Sequence, residues 1–383
     1  MSNSTLATNI TDRLALHNTN TLKLGLFASN CSGGRAATTV PERWSGSWPD
    51  NLALAKLADA AGIDFMLPIA RWKGYRGTTN FHGAVLETIT WAGGLLANTK
   101  RMTVFGTVHA PLIHPIVAAK QMATVDLISE GRFGLNMVAG WNTDEFSMFG
   151  KQQLEHDARY DYAREWVEIV RELWERHGEF DYHGKHFDLE KLYAEPKPYG
   201  GSRPIIMNAG ASPVGRAFAL HTSDMLFTLL VSLEQGAKAV ADIRAQSVAL
   251  GRHVNIYTST YCVCRPTQKE ADDYEEYYVT EHGDWEALDH LLELAFPNPE
   301  HRADPKGFEL IKRRFIAGNG SYPLVGTPDH VAEELAQISE AGFTGVCTGF
   351  VNYLAEFPYF AQEVLPRLER LGLRTPVAGG EQA

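Results

Sequence analysis

Short apolar runs alternate with longer stretches of helical periodicity along the whole chain. Leu22–Ala28 (LKLGLFA), Phe65–Ile69 (FMLPI), Met102–Thr107 (MTVFGT) and Phe133–Val138 (FGLNMV) read as strands, apolar on both sides as buried parallel strands are. Between them, Asn51–Ala61 carries Leu54, Leu57, Ala58 and Ala61 on one helical face and is stopped by Gly62. Ala84–Leu96 reads as a second helix, and Pro115–Ile128 as a third, opened by its proline. In Asp161–Trp174, Tyr162, Trp166, Ile169, Val170 and Leu173 recur at helical spacing. A small hairpin over Phe180–Phe187 interrupts the rhythm, which then resumes. Strands are expected at Pro204–Asn208, Met225–Thr228, Val254–Cys264 and Gly345–Gly349, with helices at Pro213–His221, Leu233–Leu250, Thr327–Ala341 and Tyr359–Leu371.

About eight such units predict parallel pairing, and favour a closed (β/α)8 TIM barrel with insertions over a doubly wound open sheet. Residues 281–322, with Trp285, Pro297, Pro299 and Pro305, break the pattern and read as an insertion between late barrel units. Residues 1–21, rich in Ser, Thr and Asn, read as a flexible arm ahead of a single domain over 22–383.

Composition narrows the function. The net charge of −11, without a run of five like charges, argues against nucleic-acid binding, which needs clustered Lys and Arg. No apolar stretch reaches the roughly 18 residues of a membrane span, and the first residues lack the basic and apolar regions of a signal peptide. A cytoplasmic location is expected. Cys31, Cys262, Cys264 and Cys347 have neither zinc nor redox spacing, and His183 and His186 in YHGKH read as a solvated turn, so no metal centre is expected. The chain has no GxGxxG after a strand, no GxxxxGK[ST], no HExxH and no GxSxG. Those absences argue against a Rossmann half, a P-loop enzyme, a zincin and an α/β-hydrolase.

The informative segment is 114–150. Asn136 interrupts an apolar strand, and a buried amide left unmet costs roughly 1–3 kcal/mol per group. Either a neighbouring strand or a ligand must serve it. Trp141 and Glu145 follow the C-terminal end of that strand, where barrel enzymes build their sites. His109 and His114 flank Pro111 in the loop after the third strand, as pocket residues or equally as packed or solvated loop histidines. Asn208-Ala-Gly-Ala-Ser-Pro leads from a strand into a helix; its small residues and the helix dipole suit an anion, and it is equally an ordinary loop with Ser212 as N-cap. Arg159 and Tyr160, ahead of the helix at 161, either contact a phosphate or lie on the surface.

The stretch AKQMATVDLISEGRFGLNMVAGWNTDEFSMFG resembles the signature of the bacterial-luciferase-like flavin-dependent monooxygenases. LEHDARYDYAREWVEIVRELW, IIMNAGASPVGRAFALHTSDMLF and LVGTPDHVAEEL are similar to three further blocks in the same order. Within the family, the resemblance points towards pyrimidine and dimethylsulfone monooxygenases. It implies a flavin at the C-terminal face of the barrel, reduced FMN (FMNH2) from a partner NAD(P)H:flavin reductase, O2 as co-substrate, a small-molecule substrate and a homo-oligomer, dimer or tetramer. By the same resemblance, Ala70 and Arg71 line the flavin, and Asn136 hydrogen-bonds its ring. Glu145 contacts it, and Arg159, Tyr160, Ser212 and the backbone of Gly210 and Ala211 surround its phosphate. Leu67, Thr107, Asn136 and Trp141 would line an oxygen pocket. The segment 306–325, with Gly318 and Gly320, resembles the family's lid. The implied activity is oxygenation and cleavage of a pyrimidine-like or related ring. The alternatives are a sulfone, sulfonate or haloaromatic substrate, a deazaflavin-dependent dehydrogenase, or a flavin binder without activity.

Overall fold

In the computed structural model, described for residues 10–296 and 305–377, the expected alternation is present. The strands are β1 (Lys23–Phe27), β2 (Phe65–Leu67), β3 (Thr103–His109), β4 (Phe133–Val138), β5 (Phe180–His183), β6 (Asp188–Leu192), β7 (Ile205–Asn208), β8 (Met225–Phe227), β9 (Asn255–Cys264), β10 (Tyr322–Gly326) and β11 (Gly345–Gly349). The helices up to the insertion are α1 (Ile10–Leu14), α2 (Trp48–Ala60), α3 (Thr88–Leu96), α4 (Pro115–Ile128), α5 (Thr143–Met148), α6 (His156–Glu175), α7 (Pro213–Thr222) and α8 (Leu233–Ala249). After them come α9 (Gln268–Glu276), α10 (Trp285–Ala295), α11 (Pro305–Gly318), α12 (Pro328–Glu340), α13 (Tyr353–Glu363) and α14 (Leu365–Arg370). The nine-stranded sheet runs β10-β9-β11-β1-β2-β3-β4-β7-β8, with β9 also pairing β8, and this is the strand order of a (β/α)8 barrel with β10 added. The antiparallel pair β5–β6 is the expected hairpin.

The chain divides into two compact units. The first holds residues 10–18, 88–227 and 244–255 of the described chain. Its strands β3, β4, β7 and β8 are parallel, and Thr107 lies opposite Asn136, which lies opposite Met207. The helical layer is anchored by two buried indoles: Trp166 donates to the Ile113 carbonyl at 2.8 Å, and Trp174 to the Ala119 carbonyl at 3.1 Å. The described part of the amino-terminal segment is packed rather than loose. Arg13 of α1 is buried, donates to both oxygens of Asp126 (2.7 and 3.0 Å), and reaches the carbonyls of Gly131, Tyr199 and Ser202. Residues 1–9 lie outside the described residues.

The second unit holds residues 19–87, 228–243 and 256–377 of the described chain. Its core packs Phe65 edge-on to Tyr257, ring centroids 5.5 Å apart. The insertion begins earlier than the spacing suggests, at Gln268, because α9 (QKEADDYEE) is too polar to show a helical stripe; a capping box between Thr267 and Glu270 starts it instead. Asp284 caps α10 and also accepts from the backbone N–H groups of Thr78 and Thr79 at 3.2 and 2.7 Å. Pro297 and Pro299 lie outside the described residues. The segment 306–325 is not a glycine-flanked loop: it forms most of α11 and then β10, which is paired with β9. The closing helix starts at Tyr353, capped by Asn352, and breaks at Val364. The helix expected from Ala84 starts at Thr88, because Ala84 and Leu86 are tied to the backbone of Ser32 and Asn30. Among the described residues, no helix is long and apolar enough to cross a membrane, and no group of three metal-binding side chains occurs. All four cysteines are buried and free.

Candidate active site

Nine of the twelve residues singled out above fall in the first unit, at the C-terminal ends of β3, β4 and β7 and on the helices that follow. Thr107 and Asn136 face each other in register, and the Asn136 amide donates to the Thr107 hydroxyl at 3.1 Å. Both are buried. This meets one side of the amide only: Asn136 Oδ1 is buried and has no partner among the described residues. Where the sequence poses a strand neighbour and a ligand as alternatives, the strand neighbour serves the amide N–H and the buried oxygen is left unmet among the described residues.

Beyond β4 the chain turns at Gly140, whose φ of +80° is a conformation that favours glycine. Trp141 follows, 40 % exposed, less enclosed than the wall of a small oxygen pocket would be. Asn142 then caps α5 by accepting from Asp144 N–H at 3.1 Å. That short helix, unmarked in the sequence, carries Glu145 into the interior, where its carboxylate lies 3.9 Å from His109 Nε2. His114, by contrast, caps α4, and burial, followed by the charge of Lys151, pulls its titration down.

Arg159 and Tyr160 are not ahead of a helix but inside it, because α6 starts at His156. The opening turns of α6 carry few apolar residues, so the periodicity becomes visible only later. Arg159 donates to the Gly140 carbonyl at 2.6 Å, which ties α6 to the turn after β4. Its Nε is buried without a partner among the described residues. The Tyr160 ring packs 5.5 Å from Phe218 of α7, and its hydroxyl lies so close to Gly215 that any side chain at 215 would strike it.

Ser212 caps α7 as expected, accepting from Gly215 N–H at 3.1 Å. The Gly210 N–H is taken: it donates to Asn208 Oδ1 at 2.8 Å, so this amide is not among the donors offered to a phosphate. The amides of Ala211 and Ser212 have no acceptor among the described residues. Asn208 also donates to the Met137 carbonyl at 2.6 Å, and so clamps the turn to β4. Its role is not foreseen from the sequence: it ends an apolar strand, whereas Asn136 interrupts one. Gly210 sits against the carbonyl of Gly215, and a Cβ there would collide with that backbone. Together the two open amides, the dipole of a ten-residue helix and the nearby Tyr160 hydroxyl suit an anionic group, and the half-met Asn136 suits a ring that offers an N–H.

Leu67, Ala70 and Arg71 belong to the second unit. Leu67 is buried and its carbonyl accepts from Ala28 N–H at 2.9 Å; Arg71 lies over the Tyr75 ring, 5.1 Å from its centroid. The pair His183 and His186 is not a ligand set, for His183 is exposed and bonded to Asp188 at 2.6 Å.

A family model described as luciferase-like monooxygenase matches residues 22–345. The FMNH2-dependent dimethylsulfone monooxygenase of Pseudomonas fluorescens (strain Pf0-1) is 31 % identical over 356 residues, covering 91 % of this chain and 95 % of that one. The pyrimidine monooxygenase RutA of Variovorax paradoxus (strain S110) is 27 % identical over 369 residues, with 94 % and 99 % covered. Among solved structures, a riboflavin lyase with modified FMN and riboflavin superposes with a TM-score of 0.83 at 23 % identity, over 94 % of each chain, a likeness of fold.

Proposed function

This chain belongs to the luciferase-like monooxygenase family, and on that premise we propose that it is an FMNH2- and O2-dependent monooxygenase of a small organic substrate. Reduced flavin would come from a separate NAD(P)H:flavin reductase, in keeping with the FMNH2 dependence stated for the dimethylsulfone relatives. When bound, the flavin supplies the electrons that activate O2. The protein's part is placement. The amides of Ala211 and Ser212, with Tyr160 beside them, would hold the phosphate, and Arg159 would add charge. Asn136 Oδ1 would accept a hydrogen bond from the ring, while its amide stays fixed by Thr107. The half-satisfied Asn136, buried in register with Thr107, is the observation that carries this reading.

The substrate is a pyrimidine-like ring, as in the RutA relatives, or a sulfone, as in the dimethylsulfone relatives. Anaerobic titration with reduced FMN is the direct test of the cofactor. Tight binding that Asn136→Ala weakens about tenfold, the cost of one ring hydrogen bond, is expected. No binding of reduced FMN, or binding only of a deazaflavin, overturns the reading. Incubation with uracil, dimethylsulfone and 18O2 in the presence of a flavin reductase then separates the two substrate classes by the mass of the product.

A further inference from the structure

Three of the described arginines are buried. Arg13 is paired with Asp126 and Arg374 with Asp64, whereas Arg35, 4 % exposed, has no carboxylate partner among the described residues. Arg35 lies in the loop that follows β1, within the second unit. Its guanidinium sits over the ring of Phe27, the last residue of β1, with Cζ 4.2 Å from the centroid. Its Cβ and Cγ pass so close to Gly349, the last residue of β11, that a side chain at 349 would collide with them. Nη2 donates to the Asn319 carbonyl at 3.0 Å and to the Ser321 hydroxyl at 2.6 Å, and that hydroxyl donates to Ser259 of β9 at 3.0 Å. The loop is itself pinned: Gly33 N–H donates to the Trp44 carbonyl at 2.9 Å, and Ala37 N–H to the Ile316 carbonyl at 3.0 Å. Of the guanidinium's N–H groups, only those of Nη2 are met. Nε is buried without a partner, and Nη1 has no acceptor among the described residues. The acidic groups that face Arg35 are the phenols of Tyr353 and Tyr75 and the thiols of Cys347 and Cys31, none of them a carboxylate. Burial lowers its titration to about 10, which leaves it cationic at neutral pH.

We propose that Arg35 binds the charged group of the substrate, which is therefore an organic oxyanion, a carboxylate or a sulfonate. The proposal rests on the monooxygenase reading above and names the charge class that the reading leaves open. A cation held away from water costs stability unless an anion answers it. The described chain supplies no such anion, yet it builds the position with care. Glycine at 349 makes room, and Phe27 backs one planar face of the guanidinium. Asn319 and Ser321 fix Nη2, and so fix the directions in which Nε and Nη1 point. A planar guanidinium matches the spaced oxygens of a carboxylate or sulfonate better than it matches a single neutral oxygen. Phe27 and Gly349 end their strands, and strand C-termini are where barrels build their sites. Uracil and dimethylsulfone are neutral at neutral pH, so a substrate chosen by Arg35 differs from either in charge.

The test uses matched pairs that share a skeleton and differ in charge: methanesulfonate against dimethylsulfone, and uracil-6-carboxylate against uracil. Dissociation constants are measured by titration calorimetry at neutral pH, with and without FMN. In at least one pair the anion is expected to bind about tenfold more tightly than its neutral counterpart. Arg35→Gln is expected to abolish that preference and to leave the affinity for the neutral member unchanged, because a merely structural defect weakens both members alike. No preference for the anion in either pair, a preference that survives Arg35→Gln, or equal losses for both members overturns the proposal. If Arg35→Gln does not fold, Arg35→Lys decides, since it keeps the charge and loses the planar fork. Weaker binding of the anion with unchanged binding of its neutral counterpart then supports the assignment, and any other result sinks it. Wild-type protein that binds no reduced FMN refutes the flavin reading itself. Wild-type protein that binds reduced FMN and shows no preference for either anion refutes only the role of Arg35.

Discussion

His82 shows how much one side chain can bind stability to pH. It is fully buried and stacked on Phe81 at 3.8 Å; Nε2 lies 2.7 Å from the Gly34 carbonyl, and Nδ1 is without a partner among the described residues. Burial pulls its titration down to about 3; the Gly34 contact opposes this, and the charges of Arg71 and Arg35 add to it. The folded state thus holds the neutral ring, and protons favour the unfolded chain. The stability it confers is complete above the ordinary value of 6.5 and drains away as pH falls towards 3, by up to about 1.4 kcal/mol per pH unit. His82→Gln, which keeps a donor for Gly34, is expected to narrow the gap between urea midpoints measured at pH 7.5 and pH 5. Legibility at this scale follows from context. Asn136 is visible in the sequence because a polar residue in an apolar strand demands a reason. His109 is undecided there, because a histidine read in a loop is as consistent with packing or solvent as with a pocket, and the acid beside it comes from a helix with no sequence signal. Asn208 lies at a strand end, where a polar residue is too ordinary to stand out.

Elements with a chemical start signal are legible to the residue. Pro115–Ile128 is found at the expected positions, Ser212 caps its helix as expected, and Thr327, the expected first residue of its helix, is the cap. Elements that rely on an apolar stripe are less legible where the stripe is weak. The first turn of α6 is polar, so the spacing places Arg159 and Tyr160 outside it; α5 is too short and α9 too polar to show a period. The turn into α7 offers a test of this scale. Ser212→Ala removes the cap and is expected to cost about 1 kcal/mol in chemical denaturation. Gly210→Ala forces the loop away from the Gly215 carbonyl, and is expected to abolish most of the discrimination between FMN and riboflavin, measured as the ratio of their dissociation constants. Retained discrimination would move the phosphate away from this turn.

At the scale of the molecule, the repeated βα alternation specifies the barrel, since each unit buries both faces of its strand and needs a parallel neighbour. The segment around α1 escapes that logic, because its composition is that of a loose arm while the buried Arg13 anchors it. Arg13→Ala leaves the Asp126 carboxylate buried with its cation gone, and is expected to cost roughly 3–5 kcal/mol in urea denaturation, with the loss much reduced when Asp126→Asn is added. Equal losses in the single and double variants would show that α1 merely packs. The same anchor bears on how the chain comes into being. Arg13 is synthesised early, yet its acceptors stand 113, 118, 186 and 189 positions downstream. During synthesis α1 must wait, cationic and unanchored, until the ribosome has delivered Ser202, so this helix is among the last parts of its unit to settle.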